Sequence, residues 1–184
     1  MNKIKYYIFT LLIISFNTHA ADEDVISERM SAYWTAFTNS QFEEAAMHVL
    51  PADLESIKEH VLPVFMEASE DDSAKVQRIV KPFFAEISDG PQADLTGEQA
   101  YMGLNNYFRN ANKQAFDMLS ESDIRVTNVT ISEDDTALVE YTVRLEDLFQ
   151  EDKEQFKKDG EDWFITLKEN PEVTADRFRQ AFGM

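Results

Sequence analysis

An alternation of hydrophobic and polar residues in the last third of the chain is the clearest pattern in the sequence. From Ala137 to Leu145 every second residue is apolar or aromatic, and the residues between them are mostly polar. Because successive side chains of a strand point to opposite faces of a sheet, this period predicts one buried face and one wetter face. Apolar segments at 124–131 and 163–167 predict a further strand on either side.

Local features refine this predicted sheet. The apolar positions of the first strand change phase between Val126 and Val129, which predicts a β-bulge near Thr127. Lys158-Asp159-Gly160-Glu161 is typical of a hairpin turn in which glycine supplies a positive φ. The polar segment from Glu146 to Lys153 predicts a loop or a short helical turn.

The predicted helices lie mostly before the sheet, where apolar residues recur at three- and four-residue steps. The first predicted helix runs from Asp24 to Thr38, and a capping box at Ser40 and Glu43 begins a short second helix. A third helix begins at Pro51 and is kinked or split at Pro63, and a fourth runs through Phe83 and stops at Asp89-Gly90-Pro91. A capping box at Thr96 and Gln99 begins a long helix that continues to Leu119, and a short helix follows Pro171.

The order of these elements predicts the fold class. Helices come first, and a run of strands joined by short turns follows them. Segregated helices and strands favour an α+β fold over a parallel doubly wound sheet. We therefore expect N-terminal helices packed on a curved antiparallel sheet of three to four strands, with a short C-terminal helix.

The first twenty residues are typical of a secretory signal peptide. Two lysines precede an apolar run from Tyr6 to Phe16, and small residues end at Ala20, where cleavage is expected. The run is shorter than the roughly 20 residues of a membrane-spanning helix. We expect a signal peptide at 1–20, a single domain at 21–184 and no membrane insertion after cleavage, in a periplasmic or secreted protein of the bacterial envelope.

Composition excludes several kinds of chemistry. Without the two signal-peptide lysines the formal charge is −20, and such an acidic protein repels nucleic-acid phosphates and anionic lipids. The absence of cysteine excludes disulfides, a thiolate nucleophile, cysteine-ligated metals and a lipid-bearing cysteine. No phosphate-binding glycine-rich loop, dinucleotide fingerprint or serine-hydrolase elbow occurs. We expect no cofactor and no nucleic-acid partner.

No catalytic or metal-binding residues are predicted. Only His48 and His60 follow the signal peptide, and neither belongs to a known zinc or calcium motif. The carboxylates are too numerous to single out. The aromatic side chains are more suggestive, because Tyr and Trp combine an apolar body with one polar group. Either they fill the core, or some of them line a ligand pocket, for which the candidates are Tyr33, Trp34, Phe37, His48, Tyr107 and Tyr141.

Segments near both ends of the domain carry a family resemblance. The first predicted helix ends in Asn39-Ser40-Gln41-Phe42-Glu43-Glu44-Ala45-Ala46, followed by Pro51-Ala52-Asp53-Leu54. The chain closes with a Lys-Gly-Trp hairpin from Lys157 to Ile165. These segments resemble the cone-shaped domains of the nuclear transport factor 2-like superfamily. The resemblance implies a cone whose open end holds the aromatic residues, and the superfamily includes isomerases, dehydratases and ligand binders.

Three functional hypotheses follow. The first, favoured by the aromatic residues and by the lack of a catalytic constellation, is a binding or accessory domain that holds a small apolar ligand or an envelope protein. The second is a small enzyme, an isomerase, dehydratase or hydrolase, that uses a pocket carboxylate or histidine. The third is a structural module that forms a homodimer through its sheet.

Overall fold

The chain folds into helices followed by a four-stranded sheet and a final helix. The computed structural model describes the backbone of residues 3–87 and 94–184, with side chains from residue 20 onward. The elements in this part of the chain are α1 Lys3–Thr38, α2 Phe42–Ala46, α3 Pro51–Ser69, α4 Ala74–Phe84, α5 Gly97–Ala111, α6 Lys113–Leu119, β1 Asp123–Ile131, β2 Thr136–Leu145, β3 Leu148–Asp159, β4 Asp162–Ile165 and α7 Pro171–Phe182.

Helix α1 is longer than its sequence pattern predicts. It begins at Lys3, so the expected start at Asp24 is wrong, and the helix continues across the expected cleavage point after Ala20. Residues 17–24 contain neither proline nor glycine, so nothing in the local sequence stops the helix there. Most of the predicted signal peptide lies outside the residues whose side chains are described. No helix in the described part of the chain is long and apolar enough to span a membrane.

Of the two predicted capping boxes, one is present in the structure and the other is not. At Thr96 the capping box is confirmed, because its hydroxyl accepts the Gln99 N–H at 3.3 Å and the Gln99 side chain accepts the Thr96 N–H at 2.9 Å. At Ser40 it is wrong, because Ser40 has a φ of 61° and Gln41 precedes α2 without a side-chain cap.

Two of the predicted helices also differ from the structure in their interior residues. Helix α3 runs unbroken through Pro63, whose ring lies on the exposed face. The long helix expected from Thr96 to Leu119 is divided into α5 and α6 at Asn112, whose φ of −131° is not helical. The helix expected to stop at Asp89-Gly90-Pro91, which lies outside the described residues, ends earlier, at Phe84, and a turn begins at Ala85.

The α+β prediction is confirmed, with a sheet of strand order β1-β2-β3-β4 in which every neighbouring pair is antiparallel. The predicted bulge is confirmed by a register shift between Val126 and Asn128, and Gly160 turns the last hairpin with a φ of 63°. The loop predicted from Glu146 to Lys153 is wrong. Leu145 pairs with Leu148, and β3 then follows β2 along its whole length.

Helix α1 separates two hydrophobic cores. Ile26 and Met30 are buried against the inner face of the sheet, together with Val139, Phe156 and Trp163. The second core is formed by α2–α5 and α7, and it receives Ala36 from α1. Tyr33 packs against both cores. The apolar side chains of α1 therefore pack against two cores rather than one.

Backbone hydrogen bonds tie β4 to the helical core. The Ile165 N–H donates to the His48 carbonyl at 2.9 Å, and the Leu50 N–H donates to the Ile165 carbonyl at 2.8 Å. Just beyond β4, the Leu167 N–H donates to the Asp53 carboxylate at 2.8 Å. These contacts fix the segment after β4 beside the start of α3.

Replacing Phe65 with alanine should cost about 3–5 kcal/mol of unfolding free energy, because it leaves a cavity at the centre of the helical core. Phe65 is completely buried and stacks on Phe83 with ring centroids 4.2 Å apart. The matched control is Phe149→Ala, which truncates a ring that is 69% exposed and should cost less than about 0.5 kcal/mol. Urea denaturation measures both, and equal costs would contradict the assignment of the core.

Candidate functional site

A cavity of about 370 Å³ lies at the seam between the two cores. Met30 and Ile165 border it from the sheet core, and Ile57, Val61 and Leu104 border it from the helical core. Small-molecule sites in proteins usually occupy about 300–1,000 Å³ and are mostly apolar, so this cavity has a suitable size and wall.

Aromatic side chains of α1 form one wall. Tyr33, Trp34 and Phe37 line the cavity, and Tyr141 enters it from the buried face of β2. The Trp34 and Tyr141 rings lie 5.9 Å apart, and those of Tyr33 and Phe37 are stacked at 5.7 Å. Four of the six predicted pocket residues are therefore brought together.

The other two candidates lie elsewhere. His48 is half-buried beside β4, where burial and the Arg29 charge lower its imidazole pKa, and it is not among the residues that line the cavity. Tyr107 packs in the helical core, with its ring 5.2 Å from that of Phe178 and 5.5 Å from that of Phe65.

A pair of tyrosine hydroxyls closes one side of the cavity. The hydroxyls of Tyr33 and Tyr101 are 3.2 Å apart, and Asn105 donates to the Tyr101 carbonyl at 2.9 Å. Burial raises the pKa of Tyr33 to about 12 and that of Tyr101 well above its ordinary value. Both phenols therefore stay neutral and can donate or accept a hydrogen bond at neutral pH.

Glu154 is the most buried of the carboxyl groups that line the cavity. It lies on β3 opposite Val139, so its side chain takes an inward position that alternation would give to an apolar residue, and it is only 8% exposed. Burial raises the pKa of its carboxyl to about 7, although Lys168 partly opposes the shift. A carboxyl with this pKa exchanges a proton near neutral pH.

A second acidic group is held in its charged form at the rim. The Asp152 carboxylate accepts from Lys168 Nζ at 2.9 Å and from the Tyr141 hydroxyl at 3.3 Å. Burial opposes ionisation of Asp152, but the Lys168 contact prevails and lowers its pKa. Lys168 Nζ also lies 3.4 Å from Glu154 Oε2. The two carboxylates, on one strand face, thus share a single cation and differ in protonation.

The sequence analysis did not single out Glu154, Asp152 or Lys168. From Gln150 to Asp159 the residues of β3 are polar except for Phe156, which alone marks a buried position. Counting back from Phe156 in steps of two reaches Glu154 and Asp152, so strand periodicity carried the necessary signal. No group of three or more metal-ligating side chains occurs among the described residues.

Glu154→Gln should stabilise the folded protein at pH 8 and change it little at pH 5. The pKa of Glu154 is about 7 in the folded state, against an ordinary value of 4.5. The folded state then binds more protons between these values, so unfolding free energy falls as the pH rises from 4.5 to 7. At about 1.4 kcal/mol per unit of pKa, the loss approaches about 3 kcal/mol, and glutamine avoids it.

Urea denaturation at both pH values measures this difference. The matched control is Glu151→Gln, which removes the same charge from an exposed position on the same strand. Its stability relative to the unaltered protein should not depend on pH in this way. A Glu154→Gln effect of equal size at pH 5 and pH 8 would contradict the raised pKa.

Comparisons with known proteins do not assign the chain to a family. The chain matches no family model, no curated protein and no solved structure. The function is therefore inferred from the site itself.

Proposed function

We propose that the protein binds a small amphipathic molecule in the cavity at the seam of the two cores. The observation that carries this proposal is a cavity of about 370 Å³ with aromatic walls and a buried carboxyl, Glu154, at one side. The ligand has an apolar body and one polar end that donates a hydrogen bond, such as an alcohol, an amide or an amine.

The apolar body of the ligand is suited to the α1 wall. The rings of Tyr33, Trp34 and Phe37 offer flat apolar area, and aromatic side chains bury much surface with little conformational freedom to lose. Ile57 and Leu104 extend this wall with aliphatic groups. An apolar molecule of matching size therefore gains free energy by leaving water.

The polar end is suited to the β3 wall. Glu154 accepts hydrogen bonds when ionised and both accepts and donates when protonated. Its raised pKa reflects an environment that solvates the charged form poorly, so a donor group of the ligand would compensate for lost hydration. This polar contact orients a ligand that would otherwise be held only by apolar packing.

Blocking the cavity mouth should reduce the affinity for N-phenyl-1-naphthylamine, a neutral fluorescent probe with an aromatic body and one N–H. Thr174 is half-buried at the start of α7 and lines the cavity, so Thr174→Trp should weaken binding at least tenfold. Val173 is exposed and does not line it, so Val173→Trp is the matched control and should leave affinity unchanged.

Fluorescence titration at pH 7 measures the affinities, and thermal unfolding verifies that both variants are folded. Native mass spectrometry of the untreated protein would also reveal any molecule that it retains. Equal affinities in the two variants, or no probe binding by the unaltered protein, would contradict the proposal.

A second candidate function is acid–base catalysis by Glu154. The observation that favours it is the pKa of about 7, since a general acid or base works best when its pKa lies near the working pH. The neutral hydroxyls of Tyr33, Tyr101 and Tyr141 could stabilise a developing negative charge by hydrogen bonding. Isomerisation, dehydration and hydrolysis are the reaction classes compatible with this set.

Proton NMR in D₂O distinguishes catalysis from binding alone. For any molecule that occupies the cavity, the enzyme hypothesis predicts chemical conversion or deuterium uptake at carbon, and Glu154→Gln should slow it at least a hundredfold while binding persists. Ligands that bind and remain unaltered with both proteins would contradict catalysis and leave the binding proposal intact.

We also propose that the protein acts in the bacterial envelope after signal cleavage.

A homodimer through the outer sheet face is less favoured, because that face presents polar side chains. Among them, Glu140 and Lys153 form an ion pair across β2 and β3. The exposed large apolar side chains of that face are Leu138 on β2 and Phe149, which pairs with Arg144, on β3.

A further inference from the structure

A second cleft, of about 820 Å³, lies where the end of α1 meets α4, α5 and α6. Four basic residues line it, Arg78 and Lys81 from α4, Arg109 from α5 and Lys113 from α6. The chain after the predicted signal peptide holds only 15 basic residues against 35 acidic ones. More than a quarter of its cations therefore surround one cleft, which random placement on an acidic surface does not favour.

Three of the four cations form no ion pair within residues 3–87 and 94–184. Arg109 pairs with Glu86 at 2.6 Å. The other ion pairs of the described residues engage none of the remaining three cations. One carboxylate, Asp117, also lines the cleft. The net charge of the walls is positive, and screening over about 8 Å at physiological ionic strength separates it from distant acidic residues.

A buried amide in the same cleft lacks hydrogen-bond partners. Asn106 is 2% exposed, and neither its Nδ2 nor its Oδ1 is bonded within the described part of the chain. Its neighbour Asn105 shows the usual arrangement, with Nδ2 bonded to the Tyr101 carbonyl. An unsatisfied buried polar group costs about 1–3 kcal/mol, so the Asn106 amide gains stability from any partner that reaches it.

We propose that this cleft binds a small anionic molecule carrying a phosphate or carboxylate group. Arg78, Lys81 and Lys113 attract the anion, and guanidinium and ammonium groups both bind such oxygens by charge-assisted hydrogen bonds. Asn106 donates from Nδ2 to an anionic oxygen and accepts at Oδ1 from a hydroxyl of the ligand. Phe116 supplies an apolar surface for the rest of the molecule.

Inorganic phosphate is the first probe, because it offers both anionic oxygens and a hydroxyl. Isothermal titration at 20 mM and 200 mM NaCl should give saturable binding that weakens with salt. Citrate tests carboxylates, glucose 6-phosphate tests organic phosphates, and phosphatidylglycerol vesicles test a lipid headgroup as the source. Binding to vesicles without binding to any soluble anion would overturn the proposal of a small-molecule site.

Charge-removing variants locate the binding. Arg78→Gln, Lys81→Gln and Lys113→Gln should each weaken affinity for the best soluble anion at least fivefold, and the triple variant should abolish it. Matched controls are Lys75→Gln on the same helix as Arg78 and Lys157→Gln on β3, which remove exposed cations outside the cleft and should change affinity less than twofold.

Asn106→Ala provides a test that does not depend on charge. It should weaken anion affinity at least fivefold while the protein remains folded, since the amide has no hydrogen-bond partner within the described part of the chain. Circular dichroism verifies folding of every variant, and the single variants decide the matter if the triple variant does not fold. Unchanged affinity across the three single charge variants, or no soluble anion binding at low salt, would overturn the proposal.

Discussion

The structure depends on one helix that packs against two cores at once. From Ile26 to Ala36, α1 presents Ile26 and Met30 to the sheet and Ala36 to the helical core, with Tyr33 between them. The inner face of the sheet needs an apolar cover, which Ile26 and Met30 help to supply, and Ala36 adds to the helical core from the same helix. The cavity lies along this helix because two separately packed cores meet there and their side chains do not fill the junction.

The electrostatics of the cavity follow from this arrangement. A strand residue on the inner face of the sheet normally packs against apolar neighbours, and Glu154 occupies such a position beside Val139 and the tyrosines. The low polarity of the walls disfavours its charge, while Lys168, at the rim, compensates only partly. Asp152, one step along the same face, lies closer to Lys168 and to water and stays ionised. Two chemically similar groups thus acquire different protonation through position alone.

Periodicity predicted the elements better than it predicted their partners. The inner face of β2 and the bulge after Val126 follow from strand alternation, and the aromatic wall of α1 follows from helical spacing of three and four residues. The first half of β3 was predicted as a loop because its residues are mostly polar and exposed, so pairing with β2 rather than apolar content makes it a strand. The burial of Glu154 and the proximity of Arg78 to Lys113 in one cleft depend on tertiary structure, and neighbouring residues in the sequence do not reveal them. The resemblance to the nuclear transport factor 2-like superfamily stays a prediction, because the chain matches no family model or solved structure.

The protonation of Glu154 is the most direct measure of whether the seam is the apolar, partly enclosed space described above. Carbon-13 NMR of the glutamate side-chain carboxyls, with Glu154 assigned by its loss in Glu154→Gln, follows that single group from pH 3 to pH 9. The structure predicts a titration midpoint near pH 7, because burial raises the pKa to about 7. A midpoint near the ordinary glutamate value of 4.5 would show that water solvates the carboxylate freely, and it would contradict the partly enclosed cavity on which the proposed function rests.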